Sequence, residues 1–428
     1  MNGVAAGRGL RILLSEGAST SARQAITALG LSGHHLEVCD PDPRCLGRFS
    51  RFVRRFHRCP GMGTDPDGFL AFVLDRVSGG GIDVLLPIHE QGYLFARVQE
   101  QLAPLVSVAL PPFESYRQAH SKVGFSRLLT ELDIPQPPTR PVADLRAFAP
   151  DRFPVMLKAP VGTASRGTWL LSSPADLDAA RREIEAGEPF AEPFLVQDVV
   201  PGPVEHAQAV FDRGRLVAAH AYRQVARGAG GGDAIKESVH RPLVRSHLSS
   251  IGERLAWHGA LSVDYILEEP AGVPRYIDCN PRLVEPMSAR LAGLDLADLL
   301  VRVSRGEAGL SAPESRAGVR THLSLQALFG SALRDRSRSA VAREAWRLAT
   351  GSGPYRDSRE ELTPARLDPP SAVPLAVAAV WLLADPRAAE YLPRKGWGAH
   401  LLNPSSMRRI DAGFGPGRAP FPGPRRMG

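Results

Sequence analysis

Two acidic strands either side of one tight turn constrain this chain more than any other feature. LSVDYILEE (Leu261–Glu269) and PRYIDCN (Pro274–Asn280) are separated by PAGV (Pro270–Val273). Two such runs around a Pro/Gly turn read as a β-hairpin. Folding symmetrically about the turn sets Asp264 roughly across from Asp278 and Asn280, with facing Cβ atoms about 5 Å apart. Side chains alternate along a strand, so Asp278, Asn280 and Arg282 share one face. Two carboxylates that close repel and raise a pKa unless a cation lies between them. A divalent cation holding a phosphate satisfies all four residues. Mg²⁺ takes carboxylate and amide oxygens, and Arg grips phosphate oxygens. The bland alternative is a solvated hairpin with chance acids; the apolar neighbours Val263, Ile266 and Ile277 weigh against it.

The chain of 428 residues is long enough for about three domains. Its formal charge of +7 would suit nucleic acid, but no interleaved basic–aromatic motif accompanies it, so a nucleic-acid partner is disfavoured. Much of the charge sits in Asn403–Gly428, where Arg408, Arg409, Arg418, Arg425 and Arg426 face only Asp411. That Pro/Gly-rich segment is expected to be a disordered tail over 405–428. Cys39, Cys45, Cys59 and Cys279 form no C-x-x-C pair, which argues against zinc. No secretory signal is expected, since the N-terminus lacks a long apolar stretch. Ala372–Ala384 is apolar but too short to span a bilayer, so it is expected as a buried helix and no membrane partner is called. A reducing cytoplasm is the expected setting. Positive charge is almost all Arg, and lysine is kept only at Lys122, Lys158, Lys236 and Lys395. A compact ammonium suits a single phosphate oxygen, so these lysines are site candidates, with codon bias as the plain alternative.

Alternating strand and helix patterns over residues 1–112 predict a small, doubly wound α/β domain with a parallel sheet. Its first turn, SEGASTSA, lacks G-x-G-x-x-G, so the dinucleotide-binding fingerprint is missing. Glu16, Gly17, His89 and Glu90 fall at predicted C-terminal strand ends, where α/β sheets hold ligands; helix capping is the competing explanation. A strand-rich module follows over 113–310, in lobes of about 113–193 and 194–310. It includes a hairpin turned at Asp212–Gly214. A C-terminal α-rich unit is expected over 311–404. Before the hairpin, MLKAPVGTASRGTW places Lys158 at a strand end and a small polar loop at Gly162–Gly167. Gly and Ser/Thr let backbone N–H groups approach phosphate. The loop is not a Walker A motif, because Thr168-Trp169 stands where Lys-Ser/Thr belongs.

In order, SKVGFSRLLTELDIPQPPT, FPVMLKAPVGTASRGT, VQDVVPGPVE, LSVDY and YIDCNPR…AGLDLADLL resemble the ATP-grasp superfamily. The likeness is greatest to its carbamoyl-phosphate-synthase-like and biotin-carboxylase-like carboxylate–amine ligases, and it covers about 113–306. The resemblance implies an α/β and α+β protein: a preATP-grasp domain, then a two-lobed ATP-grasp module. It implies that Lys122 and Lys158 hold ATP phosphates. Gly162, Thr163, Ser165 and Gly167 would belong to a lid loop over them. Gln197, Asp198, Val199 and Val200 would form the hinge that reads adenine, and Glu205 would hold the ribose. Asp264, Asp278 and Asn280 would bind Mg²⁺, or Mn²⁺ in its place, and Arg282 would contact the transferred phosphoryl group. Arg282 and Lys158 would be the catalytic pair.

Three departures stand out. Asp278 replaces the usual Glu, Gln197 stands where Glu is common, and one extra residue separates the hinge from Glu205. Glu285 follows Asn-Pro-Arg where relatives carry small residues, which makes it a candidate substrate reader; a salt bridge to Arg282 or Arg290 is the alternative. The implied activity is that of an ATP-dependent carboxylate–amine ligase acting on a small amino acid or peptide-like substrate through an acyl phosphate with Mg²⁺, with ADP and phosphate released. The alternatives are an ATP-grasp kinase, a carbamate- or bicarbonate-activating enzyme, and a non-catalytic ATP-binding module.

Overall fold

A computed structural model describes residues 9–163, 166–391 and 398–414 of the chain. The N-terminal unit is built on strands β1 (Arg11–Leu14), β2 (His35–Asp40), β3 (Val53–Arg58) and β4 (Val84–Leu86), all parallel and ordered β3-β2-β1-β4. Ile12, Leu13 and Leu14 have no solvent exposure, as continuous apolar strands covered on both faces require. The helix Thr20–Leu31 starts where the Ser19 hydroxyl accepts from Ala22 N–H. It follows directly on β1, so Glu16 and Gly17 lie at the strand's C-terminal end. His89 and Glu90 occupy the same position after β4.

The small lobe is an antiparallel sheet of β5 (Thr139–Val142), β6 (Val155–Lys158), β7 (Thr168–Leu171) and β8 (Phe194–Asp198), ordered β5-β8-β6-β7. The helix Pro174–Glu185 closes its core with Leu177 and Ala180 against Val155, Leu157 and Leu171.

The large lobe carries β9 (Val204–Asp212), β10 (Arg215–Arg227), β11 (Asp233–Val239), β12 (Gly259–Glu268) and β13 (Val273–Asn280). The expected β9–β10 hairpin forms, with Arg213 and Gly214 at φ +47° and +91° in the turn. On one face of this sheet Ala207, Tyr265 and Tyr276 pack with Val244, Leu248 and Ile251 of the helix Pro242–Arg254. The other face turns toward the small lobe and the N-terminal unit.

The C-terminal region departs from the sequence expectation in three ways. Its first strand, β14 (Arg320–His322), pairs with β11, and β15 (Arg359–Glu360) pairs with β14. It therefore extends the large-lobe sheet to seven strands, in the order β13-β12-β9-β10-β11-β14-β15, rather than standing as a separate α-rich unit. Second, Ala372–Ala384 is a helix but not a buried one. Only Ala378 and Leu382 are buried, while Val373, Val377, Val380 and Trp381 are 44–67% exposed. A helix apolar on every face gives no periodicity from which to read its covered side. Third, the expected tail begins as structure. The helix Pro404–Asp411 opens with an Asn403/Ser406 capping box and buries Ile410. Arg409 bonds to Asp67, and Tyr93 Oη donates to Asp411 at 2.6 Å. Composition reported the Pro, Gly and Arg content but not the capping box. Residues 415–428 lie outside the described residues. Among the described residues, no helix is long and apolar enough to cross a membrane.

Candidate active site

The β12–β13 hairpin pairs Asp264 directly with Asp278, and Ser262 with Asn280. A bulge follows, because Tyr265 pairs with Tyr276 and leaves Ile277 as the extra residue. Bulges re-aim side chains and recur beside active sites. On the other side of β12, Asp264 pairs with His206 of β9, whose Nδ1 lies 2.7 Å from Asp264 Oδ1. Burial opposes charge on both partners, yet their mutual attraction outweighs it. The imidazole rises to about 9, with Asp233 adding to the rise, and the Asp264 carboxyl is held below its usual range.

Three cations converge on these acids from different parts of the chain. Lys122 starts the helix Lys122–Glu131, and its Nζ donates to Asp278 Oδ1 at 2.6 Å and to the Gly162 carbonyl at 3.2 Å. Lys158 ends β6 in the small lobe and donates to the Ile277 carbonyl at 2.8 Å. Burial pulls Lys158 down to about 8; Asp278 opposes that shift and the charge of Lys122 adds to it. Arg282 Nη2 donates to Thr163 Oγ1 and Asn280 Oδ1, both at 3.2 Å. Its backbone is fixed by Ser262 Oγ, which donates to the Arg282 carbonyl at 2.7 Å. The small lobe, the large lobe and the helix Lys122–Glu131 thus meet at one set of charges.

The N-terminal unit completes the enclosure. Burial raises Glu16 and Glu90 to about 7, and the charge of Arg282 opposes that rise in both. Burial drives His89 and His120 well down, with Arg282 contributing, so both imidazoles are neutral at pH 7. Glu90 Oε2 accepts from Leu402 N–H at 2.5 Å, which ties the C-terminal segment to this wall.

Gly162 and Arg166 lie close together at the ends of the loop after β6. A Cβ on Gly162 would meet the Arg166 carbonyl oxygen at 2.2 Å, and Gly167 sits at φ +68°; both positions require glycine. Thr163 is buried against Arg282. Ser165 lies outside the described residues.

At the end of β8, Gln197 turns its side chain inward and donates to Thr139 Oγ1 at 3.0 Å. Asp198 pairs with Arg152. Asp198, Val199 and Val200 line a cleft of about 400 Å³ together with Pro138, Glu268 and Arg275.

Glu205 is not brought to the site. It pairs with Tyr265, on the face of β9 opposite His206. Its carboxylate is fully buried, bonded to Arg241 Nε at 2.7 Å and Nη2 at 2.5 Å, and to Tyr265 Oη at 2.9 Å. One extra residue after the hinge flips every following side chain to the other face of a strand. Glu205 therefore points away and His206 takes its place. Sequence reasoning missed His206, although that extra residue was the signal. Glu285 does form a salt bridge, but with Lys236 rather than Arg282 or Arg290.

The donor set suits a hard divalent cation. Two carboxylates and an amide oxygen stand on neighbouring rungs, and the cations Lys122 and His206 already rest against the carboxylates. Among the described residues, no group of three or more His, Cys, Asp or Glu side chains is placed to hold a metal. The candidate ligands are thus Asp264, Asp278 and Asn280, with any remaining positions left to water and phosphate, as Mg²⁺ prefers.

The architecture is similar in fold to solved structures of several enzymes. The protein is similar in structure to the biotin carboxylase domain of 2-oxoglutarate carboxylase from Hydrogenobacter thermophilus, solved with MgADP, ADP and bicarbonate; identity is 16%, the TM-score is 0.57, and 72% of this chain matches 73% of that one. It is also similar to carboxyaminoimidazole ribonucleotide synthase from Aspergillus clavatus, solved with ATP (13% identity, TM-score 0.57, 74% and 82% covered). A third similar structure is the L-amino acid ligase from Bacillus licheniformis (12% identity, TM-score 0.53, 70% and 75% covered). At these identities the likeness is one of fold. No family model and no curated protein sequence matches the chain.

Proposed function

We propose that this protein is an ATP-dependent carboxylate–amine ligase that works through an acyl phosphate. The observation that carries this reading is the convergence of Lys122, Lys158 and Arg282, from separate lobes, on the Asp264–Asp278–Asn280 hairpin. The fold it shares with two enzymes solved with ADP or ATP, and with an amino acid ligase, supports the same conclusion.

In this reading the hinge cleft at Asp198–Val200 takes the adenine, and the triphosphate runs toward the hairpin. Lys122 and Lys158 exchange their present contacts with Asp278 and the Ile277 carbonyl for phosphate oxygens. Mg²⁺, held by Asp264, Asp278 and Asn280, would supply charge neutralisation on the phosphoryl oxygens. Arg282 orients the γ-phosphoryl group, which is mostly positioning and electrostatics. A substrate carboxylate oxygen bonds to the γ-phosphorus while the bond to the β–γ bridging oxygen breaks, and ADP leaves. The amine nitrogen then bonds to the acyl carbon and phosphate leaves. The proton released from the amine has acceptors in Glu16 and Glu90, whose affinities near 7 match that task. The loop from Gly162 to Gly167 keeps water from the acyl phosphate when it closes.

The test is ADP and phosphate release from Mg-ATP with amino acids supplied in pairs, with product analysis for the C–N bond. Asp278→Ala and Lys158→Ala are the inactive controls. Normal turnover in both variants would remove the site assignment; ADP release without a C–N product would favour a kinase or a carboxylating enzyme.

A further inference from the structure

A run of one-sign charge lies on the rim of the N-terminal sheet. RFSRFVRRFHR (Arg48–Arg58) covers β3 and its approach; with Arg44 it holds six arginines, and no Asp or Glu falls between residues 43 and 64. All six arginines are exposed. Arg44 meets Asp42 at 3.4 Å, and the Arg48 guanidinium donates to the Pro43 carbonyl at 2.9 Å. Arg54, Arg55 and Arg58 make no ion pair among the described residues. The carboxylates nearby are already engaged. Glu37 meets Arg11, His57 and Arg76, and Asp368 meets Arg23, Ser50 and the Arg51 N–H. Asp40, opposite Arg58 in the ladder, accepts from the N–H groups of Gly17 and Asp42. Six guanidiniums set against Asp40 and Asp42 still leave four unmatched.

The backbone under these charges is open as well. β3 ends its sheet and pairs only with β2, so among the described residues its outer row of N–H and C=O groups has no strand beside it. Such an edge is a template for another strand. Arg54 forms a bulge between Val53, opposite Leu36, and Arg55, opposite Glu37; Arg55–Arg58 then runs in regular register. Charge and a bulge also guard an edge against pairing with itself. Guarding needs no particular sign, however, and every charge in this run is positive. Contrary to the sequence expectation, Arg and Phe do interleave here, but the rings are not open platforms. Arg48 lies 5.1 Å from the Phe56 ring and Arg51 4.9 Å from the Phe52 ring, and Phe52 packs over Gly30, where a Cβ would meet the ring at 2.2 Å. Bases stack on free aromatic faces, so nucleic acid remains disfavoured. No large apolar side chain between 44 and 58 is exposed, so a lipid surface would find nothing to bury.

We infer that β3 docks an extended acidic segment of another protein, which joins the N-terminal sheet as a fifth strand. Its backbone pairs with the outer edge of β3, and its Asp or Glu side chains meet Arg54, Arg55 and Arg58 in charge-assisted hydrogen bonds. Residues 1–8, 164–165, 392–397 and 415–428, which lie outside the described residues, contain no Asp or Glu, so none of them supplies the acids. A six-residue strand spans about 20 Å, so about six extended residues of the partner suffice. Arg55 and Arg58 lie on opposite faces of β3, so the segment carries acids on both of its faces. Parallel pairing sets the Arg58 end of β3 at the same end of the sheet as Glu16. The partner is thereby held beside the cleft wall, whichever reaction the cleft performs.

The experiment uses the full chain and labelled peptides of about ten residues, long enough to cover the strand. One is built of Glu-Glu-Val-Val repeats, one of Lys-Lys-Val-Val repeats, and one is the Glu peptide N-methylated along its backbone, which keeps the charge and loses the donors. The Glu peptide should bind about tenfold or more tightly than either of the others. Amide exchange at Arg55–Arg58 should slow when it binds. Arg54→Ser, Arg55→Ser and Arg58→Ser combined should weaken binding by about tenfold or more without moving the thermal midpoint; Arg55→Ser alone, with a smaller loss, serves if the triple variant does not fold. Failure of the Glu peptide to bind, or equal binding of its N-methylated form, overturns the inference. So does tighter binding of a single-stranded oligonucleotide or of phosphatidylserine vesicles, or self-association of the chain that the triple variant abolishes, since each gives the edge a different occupant.

Discussion

Glu205 and His206 are neighbours in sequence with opposite roles. On the far face of β9, Glu205 is matched by Arg241 and Tyr265, both from the large lobe, and nothing more is needed. On the cleft face, Asp264 meets His206, Asp278 meets Lys122, and Lys158 reaches across from the small lobe to a backbone carbonyl. The first network ties one lobe to itself. The second ties separate lobes together through cations that phosphate oxygens could capture. A structural network and a reactive one can use the same residue types; what separates them is whether the partners belong to one rigid element.

The largest expected effects test the cleft face. Asp278→Ala and Lys158→Ala should each lower Mg-ATP turnover by about 10²–10³ or more, the scale seen when one preorganised group is removed. Urea unfolding should change little by comparison, because neither residue is needed to hold a lobe together. Turnover at the parent rate in either variant would break the contrast between the two faces.

Glu205→Gln tests the far face and should show the reverse pattern. It leaves Arg241 without its charged partner, and breaking a buried pair costs about 3 kcal/mol. Urea unfolding should show that loss, while the affinity for Mg-ATP should stay within about twofold. A lost affinity with unchanged stability would restore Glu205 to the nucleotide site.

The difference between the faces also explains what could be read in the sequence. The hairpin was legible because the turn Pro270–Val273 fixes register, and register places Asp264 opposite Asp278. The parallel N-terminal sheet was legible from its apolar strands. Lys122, Lys158 and Lys236 are 7%, 6% and 0% exposed, the third in a different part of the wall, and Lys395 lies outside the described residues. Glu205 was placed by motif, and a motif does not record which face of a strand a one-residue insertion selects. Glu361 was out of reach for another reason. It joins Lys236 across 125 positions, through β15 lying beside β14, and no local pattern announces a pairing that distant.

Acidity offers a smaller and more graded test. Lys158 has a folded-state value of about 8 against its ordinary 10.5. Below about 8 it is charged both folded and unfolded, and the cost of burying that charge is fully present. Between about 8 and 10.5 the folded protein has lost a proton that the unfolded chain keeps, so this group's contribution to stability rises with pH across that window. Nucleotide affinity should move the other way, because phosphate needs the ammonium, falling by up to about tenfold per pH unit above 8. Binding near pH 8 should take up protons, visible by calorimetry in buffers of different ionisation heat. Lys158→Met should abolish both the uptake and the slope. An uptake that persists in the variant would assign the proton elsewhere.

The smallest expected effect concerns a contact of neither kind. Glu188 of the small lobe accepts from Ser405 Oγ at 2.5 Å and from Arg408 Nη2 at 3.2 Å, so the C-terminal helix bridges the small lobe to the N-terminal unit. Like the cleft pairs it joins separate bodies, but it is half-exposed and touches no reactive group. Exposed pairs contribute little to stability, so Glu188→Ala should leave unfolding nearly unchanged. If bridging between lobes matters in itself, the variant should still loosen the small lobe, seen as faster amide exchange in β6 and β7 without a change in the large-lobe strands. Equal exchange in both lobes would mean that only the buried charges of the cleft hold the small lobe in place.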